Sequence, residues 1–162
     1  MNILAPTRVD MSVQPDTDVP WWRTELGAEE VARVVESIKG ECISHGPVTA
    51  TFEAAIGAAI EVPYVVCTTS GSMSLTLAMM TLGVGVGDEV IVPNRTFMAT
   101  AHAALILGAS VRLVDVLPDM PAMDTDQLES AISPRTKAIV AVHLNGRATN
   151  MDAINIIAQR HN

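Results

Sequence analysis

Apolar residues fall along this chain in two kinds of block. Short runs with little polar interruption occur at Val65–Cys67, Val90–Val92, Val111–Val116 and Ala138–Val142. Stretches with helical character lie between and after them, near Met73–Leu82, Ala99–Leu107, Thr125–Ile132 and Met151–Arg160. Runs without alternation suit strands buried on both faces, and strand–helix alternation leads to parallel pairing with right-handed crossovers. The pattern therefore predicts an α/β domain over residues 63–162, a parallel sheet with flanking helices.

Upstream the pattern changes. Val31, Val34, Val35 and Ile38 recur at helical spacing from Gly27 onward, and Gly40 ends that helix. A loop from Glu41 to Pro47 leads to a second helix, with Val48, Phe52, Ile56 and Ile60 on one face, and Pro63 breaks the chain before the first strand. Residues 1–20 carry Pro6, Pro15 and Pro20 among polar residues and read as an extended arm, which Trp21-Trp22 would anchor to a surface. The expected organisation is an arm over 1–20, N-terminal helices over 21–62 and an α/β unit over 63–162.

Ligands of such sheets sit beyond the carboxyl ends of the strands. After the first strand comes Ser70-Gly71-Ser72, a small-residue turn that opens a helix directly. The first amides of a helix have no intrahelical acceptor and lie at the positive end of its dipole, so the natural guest is a phosphate. Asn94-Arg95-Thr96-Phe97 follows the second strand, Asp115 to Asp119 the third, and His143 to Arg147 the fourth. Phe97 offers a flat apolar face beside the phosphate turn, which suits a ring-bearing phosphate such as pyridoxal phosphate or a nucleotide; the competing reading makes it a core residue of the next helix. Asp115 either reaches a ligand or satisfies loop amides, and Arg147 either contacts a substrate phosphate or lies on the surface.

Composition narrows the field. Hydrophobic residues make up 49% and charged residues 17%, which argues for a folded domain. A net charge of −8, with eight Arg and two Lys, disfavours nucleic acid as a partner. No apolar run approaches ~18 residues, so no membrane span is expected. Without a secretory pattern, Cys42 and Cys67 read as reduced thiols of a cytoplasmic protein, Cys67 buried. His45, His102, His143 and His161 have no zinc-site spacing, so no metal is expected. The nine Met residues read as core filler, and Asp88-Glu89 as a solvated turn at the edge away from the ligand. Gly83-x-Gly85-x-Gly87 looks like a dinucleotide fingerprint, but it ends a helix and precedes a strand, the reverse of the required context.

Several segments together resemble the DegT-like sugar aminotransferases, pyridoxal-phosphate enzymes of fold type I. They are Ser70-Gly71-Ser72-Met73-Ser74-Leu75, Gly87-Asp88-Glu89-Val90-Ile91-Val92-Pro93, Thr96-Phe97-Met98-Ala99-Thr100 and Val114-Asp115-Val116. Arg135-Thr136-Lys137-Ala138-Ile139, Val142-His143-Leu144-x-Gly146 and Met151-Asp152-Ala153-Ile154 continue the match in the same order. The resemblance implies that Gly71, Ser72 and the Met73 amide hold the cofactor phosphate and that Phe97 stacks on the pyridine ring. It also places His143 and Asn145 where the fourth strand reaches the cofactor. The loop Ser44–Pro47 would help complete a neighbouring subunit's site in a homodimer, and the implied reaction moves an amino group, commonly from glutamate, to a nucleotide-linked keto sugar.

Transamination also needs a lysine joined to the cofactor and a carboxylate beside the pyridine nitrogen. The only lysines are Lys39, closing the first helix, and Lys137, at the amino edge of the sheet, and neither matches the family's lysine. The chain thus reads as the N-terminal part of a longer enzyme, an incomplete fold-type-I large domain, inactive alone. It is either a truncation or one half of a split enzyme completed by a second chain; the competing class is a non-catalytic module that dimerises or binds a phosphate ligand. With the later strands missing, the first strand is expected to pair with the fourth, in the order 1-4-2-3, unless a partner covers the gap.

Overall fold

The computed structural model describes residues 24–161. The arm over 1–20 and Trp21-Trp22 lie outside the described residues. The chain divides into two compact units between Val65 and Val66.

The first unit contains helices α1 (Ala28–Lys39) and α2 (Pro47–Ala59). Gly27 donates its amide to Glu30 Oε2 at 2.6 Å, Glu29 and Glu30 occupy the positive end of α1, and Lys39 sits in its last turn. Charge therefore follows the helix dipole at both ends. Gly40 caps α1, but the left-handed residue of the exit is Glu41, with φ 55°. Pro47, which lacks the amide that a first turn leaves unsatisfied, starts α2. Neither helix buries a residue. The apolar stripe of Val31, Val34, Val35 and Ile38 forms at the expected spacing and is exposed.

In the second unit, helix α3 (Gly71–Thr81) precedes strand β1 (Glu89–Pro93), and α4 (Ala99–Ile106) leads to β2 (Ser110–Val114). Helix α5 (Thr125–Ala131) then precedes β3 (Thr136–Ile139), and α6 (Met151–His161) follows. The strands form a three-stranded parallel sheet in the order β2-β1-β3, with Val90 opposite both Val111 and Ala138. The central strand β1 is buried along its whole length, which its unbroken apolar run requires. On one face Val90 and Val92 meet Met79 of α3 and Ala103 and Ala104 of α4. On the other, Ile91 and Val114 meet Leu128 of α5 and Ile154 and Ile157 of α6.

Several expectations need correction. Val65–Cys67 joins no strand, so the 1-4-2-3 pairing does not occur among the described residues. Val66 is 77% exposed and Cys67 is exposed rather than buried, because a segment made for a doubly covered strand has no covering layers here. Asp88-Glu89 is not a solvated turn. Asp88 accepts the Gly85 amide, and Glu89, buried, takes hydroxyl donors from Ser133 at 3.0 Å and Thr136 at 3.2 Å. Glu89 thereby ties the start of β1 to the entry of β3. Met79 and Met123 are core residues, whereas Met73, Met80, Met98 and Met151 are exposed. No helix among the described residues is long and apolar enough to cross a membrane.

Candidate functional site

The turn before α3 is shaped by its own hydroxyls. Ser70 is extended and caps the helix, its Oγ accepting the Met73 amide at 3.2 Å while its carbonyl accepts the Ser74 amide at 3.0 Å. Thr68 Oγ1 donates to the Ser70 carbonyl at 3.0 Å and lies 2.6 Å from Ser74 Oγ. These bonds leave the Gly71 and Ser72 amides without an acceptor among the described residues. A Cβ built on Gly71 would meet nothing within 4 Å, so the space before those donors is open. Two outward amides, an exposed Ser72 hydroxyl and the positive helix end suit a phosphate group. Of the three residues expected at the phosphate, Met73 is the one whose amide already serves the cap.

Beyond β1, the Asn94 amide donates to the Val114 carbonyl at 2.8 Å, and Asn94 Nδ2 donates to Asp115 Oδ1. Asp115 thus satisfies a loop donor. Thr96 and Thr100 share a hydroxyl bond at 2.9 Å, and the Thr100 amide donates to the Phe97 carbonyl. Helix α4 turns Ala99, Thr100, Ala103 and Ala104 inward and leaves Phe97 73% exposed. Phe97 is not a core residue. The Leu82–Asp88 connection joins the end of α3 to the start of β1, so Gly71 lies toward the strands' carboxyl ends, as Phe97 does.

After β3, His143 is exposed and its Nδ1 accepts the Thr149 amide at 3.1 Å. Asn145 and Gly146 have φ 55° and 71°, and the Arg147 amide returns to the Leu144 carbonyl at 3.0 Å. This is a two-residue turn with both central residues left-handed, which Asn-Gly adopts best. The structure therefore gives Asn145 a conformational task, one the Asn-Gly pair advertised in the sequence. The Asn94–Asp115 contact had no such local signal, because it joins segments that only the fold brings together, whereas the His143–Thr149 contact is made across that same turn. Arg147 is exposed.

Lys137 stands near the amino end of β3, away from the rim that holds Phe97 and His143, and Lys39 lies in the last turn of α1. A hollow of about 620 Å³ between β3 and α6 is lined by Ile132, Lys137, Ile139, Met151, Ile154 and Ala158, among others, and by none of the predicted site residues. Among the described residues no three His, Cys, Asp or Glu side chains gather as a metal site would need.

DesV of S. venezuelae is 39% identical with a TM-score of 0.76, the match covering 82% of this chain and 37% of DesV. Spr1654 from Streptococcus pneumoniae, named as a sugar aminotransferase and solved in a PLP form, is 32% identical with a TM-score of 0.85 over 90% of this chain and 37% of that one. NtdA from Bacillus subtilis, solved with bound cofactor PMP, is 33% identical with a TM-score of 0.78 over 84% of this chain and 32% of NtdA. The chain thus spans roughly a third of the length of these relatives. The DegT/DnrJ/EryC1/StrS aminotransferase family matches residues 24–162, and the chain belongs to that family.

Proposed function

We propose that this chain carries the phosphate turn and the ring-stacking face of a pyridoxal-phosphate-dependent, nucleotide-sugar-type aminotransferase that works in the cytoplasm. The observation that carries the reading is the pair of unpartnered amides at Gly71 and Ser72, opening onto space that a side chain would fill. The PLP and PMP bound by Spr1654 and NtdA support the choice of cofactor. When bound, such a cofactor supplies an electron-accepting ring that makes the amino donor's C–H acidic. Gly71 and Ser72 hold its phosphate, Phe97 fixes one face of its ring, and His143 stands on the same rim. In this reading the lysine and the carboxylate for the pyridine nitrogen come from sequence outside these residues, continuous with this chain or on a second one. Homodimerisation would bring the loop Ser44–Pro47 to a neighbour's site.

The test is binding of pyridoxal phosphate to the full chain by calorimetry, followed by borohydride reduction and mass spectrometry. Saturable binding, competed by inorganic phosphate and lost in Gly71→Asp, is expected, with no stoichiometric adduct on Lys39 or Lys137. A full adduct on either lysine, or binding indifferent to Gly71→Asp, overturns the proposal. A second reading, a non-catalytic dimerising module, draws on the exposed apolar stripe of α1. It predicts a dimer that takes inorganic phosphate and pyridoxal phosphate equally well.

A further inference from the structure

His143 lies just past β3, where the Asn145-Gly146 turn sends the chain back so that Thr149 meets the imidazole six positions later. A backbone N–H can only donate. With the Thr149 amide 3.1 Å from Nδ1, that nitrogen must present its lone pair, and the neutral ring then carries its proton on Nε2. The donor is firmly held. Thr149 is 4% exposed, and the next residue caps α6, Asn150 Oδ1 accepting the Ala153 amide at 3.1 Å and its carbonyl accepting the Ile154 amide at 3.2 Å. The ring itself is exposed, and Nε2 has no partner among the described residues.

We infer that the Thr149 amide makes His143 a fixed Nε2–H donor, a binding residue for an acceptor oxygen of the ligand, ring hydroxylate or carboxylate in type. The ligand half of this inference rests on the cofactor reading above; the tautomer rests on this chain alone. An imidazole held this way offers neither nitrogen as a proton acceptor. His143 orients a ligand oxygen and does not take the proton that amino transfer must move.

The tautomer is read from long-range ¹H–¹⁵N spectra of the full chain labelled at histidine, without ligand. The measurement is made at about pH 8.5, well above the ordinary imidazole value of ~6.5. His143, assigned from the signal missing in His143→Gln, is expected to show an unprotonated Nδ1 and a protonated Nε2. Thr149→Pro, which deletes the amide, is expected to return it to a tautomer mixture. A wild-type His143 protonated on Nδ1, or averaging between tautomers, overturns the inference whether or not Thr149→Pro folds. For pyridoxal phosphate, His143→Leu is expected to bind about 10- to 100-fold more weakly, the worth of one hydrogen bond to an anionic oxygen, while His143→Gln, which keeps an N–H donor, loses less. Wild-type affinity in His143→Leu refutes the ligand contact. If the wild type binds no pyridoxal phosphate at all, the cofactor reading and the ligand contact both fall, while the ligand-free spectrum still decides the tautomer.

Discussion

Replacing Phe97 by Ala separates a ligand-facing ring from a structural one. At 73% exposure the ring makes few contacts that folding depends on, so the substitution should change stability by less than about 0.5 kcal/mol. Its effect on a stacked ligand is larger. A planar ring laid on Phe97 covers one face, about a quarter to a third of the ~150–250 Å² that an aromatic side chain can bury. At about 25 cal/mol per Å² that face is worth roughly 1–2 kcal/mol, and stacking geometry adds about 0.5–1.5 kcal/mol. Together these make about 1.5–3.5 kcal/mol, so Phe97→Ala should weaken pyridoxal phosphate by about 10- to 300-fold. Phe97→Leu keeps most of the apolar area but not the stack, and should lose only about fivefold.

Equilibrium dialysis against pyridoxal phosphate gives the affinities, and urea unfolding of the same samples gives the stabilities. An affinity for Phe97→Ala within threefold of wild type, with unchanged unfolding, would mean that the exposed ring has another purpose. A stability loss above about 2 kcal/mol would instead make Phe97 a packing residue, against its 73% exposure.

Other perturbations address the frame around the rim. Glu89→Ala removes a buried carboxylate that takes bonds from Ser133 and Thr136, and should cost about 3 kcal/mol in urea unfolding, with Glu89→Gln nearer 1–2 kcal/mol. Arg135→Ala should cost under about 0.5 kcal/mol, because its side chain is 67% exposed and its guanidinium sits 3.7 Å from the Glu89 carboxylate; equal losses for the two alanine variants would refute this division. Asn145→Gly should leave stability and pyridoxal phosphate affinity unchanged, whereas Asn145→Ala should cost about 1 kcal/mol at φ 55°. A tenfold loss of affinity in Asn145→Gly with normal unfolding would show a side-chain contact beyond the turn. Thr149→Val removes a buried hydroxyl that has no partner among the described residues, and should raise the unfolding free energy by about 1 kcal/mol; a comparable drop would reveal a partner for that hydroxyl.

The sheet was legible because burial on both faces leaves an unbroken apolar run. Val90–Val92 became the core of β1 and Ala138–Val142 seeded β3, each with ends shifted by a few residues. Val65–Cys67 carries the same signature and forms no strand, and the stripe of α1 carries a helical one and buries nothing. A hydrophobic pattern records what a segment requires of its surroundings, and cannot say whether those surroundings lie on the same stretch of polypeptide.

Site residues divide along a similar line. The capped turn before α3 was readable because Ser70 and Gly71 act within a single helical turn, through capping and through the absence of a side chain. Glu89 misled because its hydroxyl partners, Ser133 and Thr136, stand more than forty positions away and meet it only once β3 lies beside β1. His143 stands between these cases. Its place on the rim followed from the end of a strand, but its protonation pattern depends on one backbone amide delivered by a turn. Residue type and spacing thus locate the rim at the strand ends, while the direction of each hydrogen bond along it is set by main-chain donors that no side-chain pattern encodes.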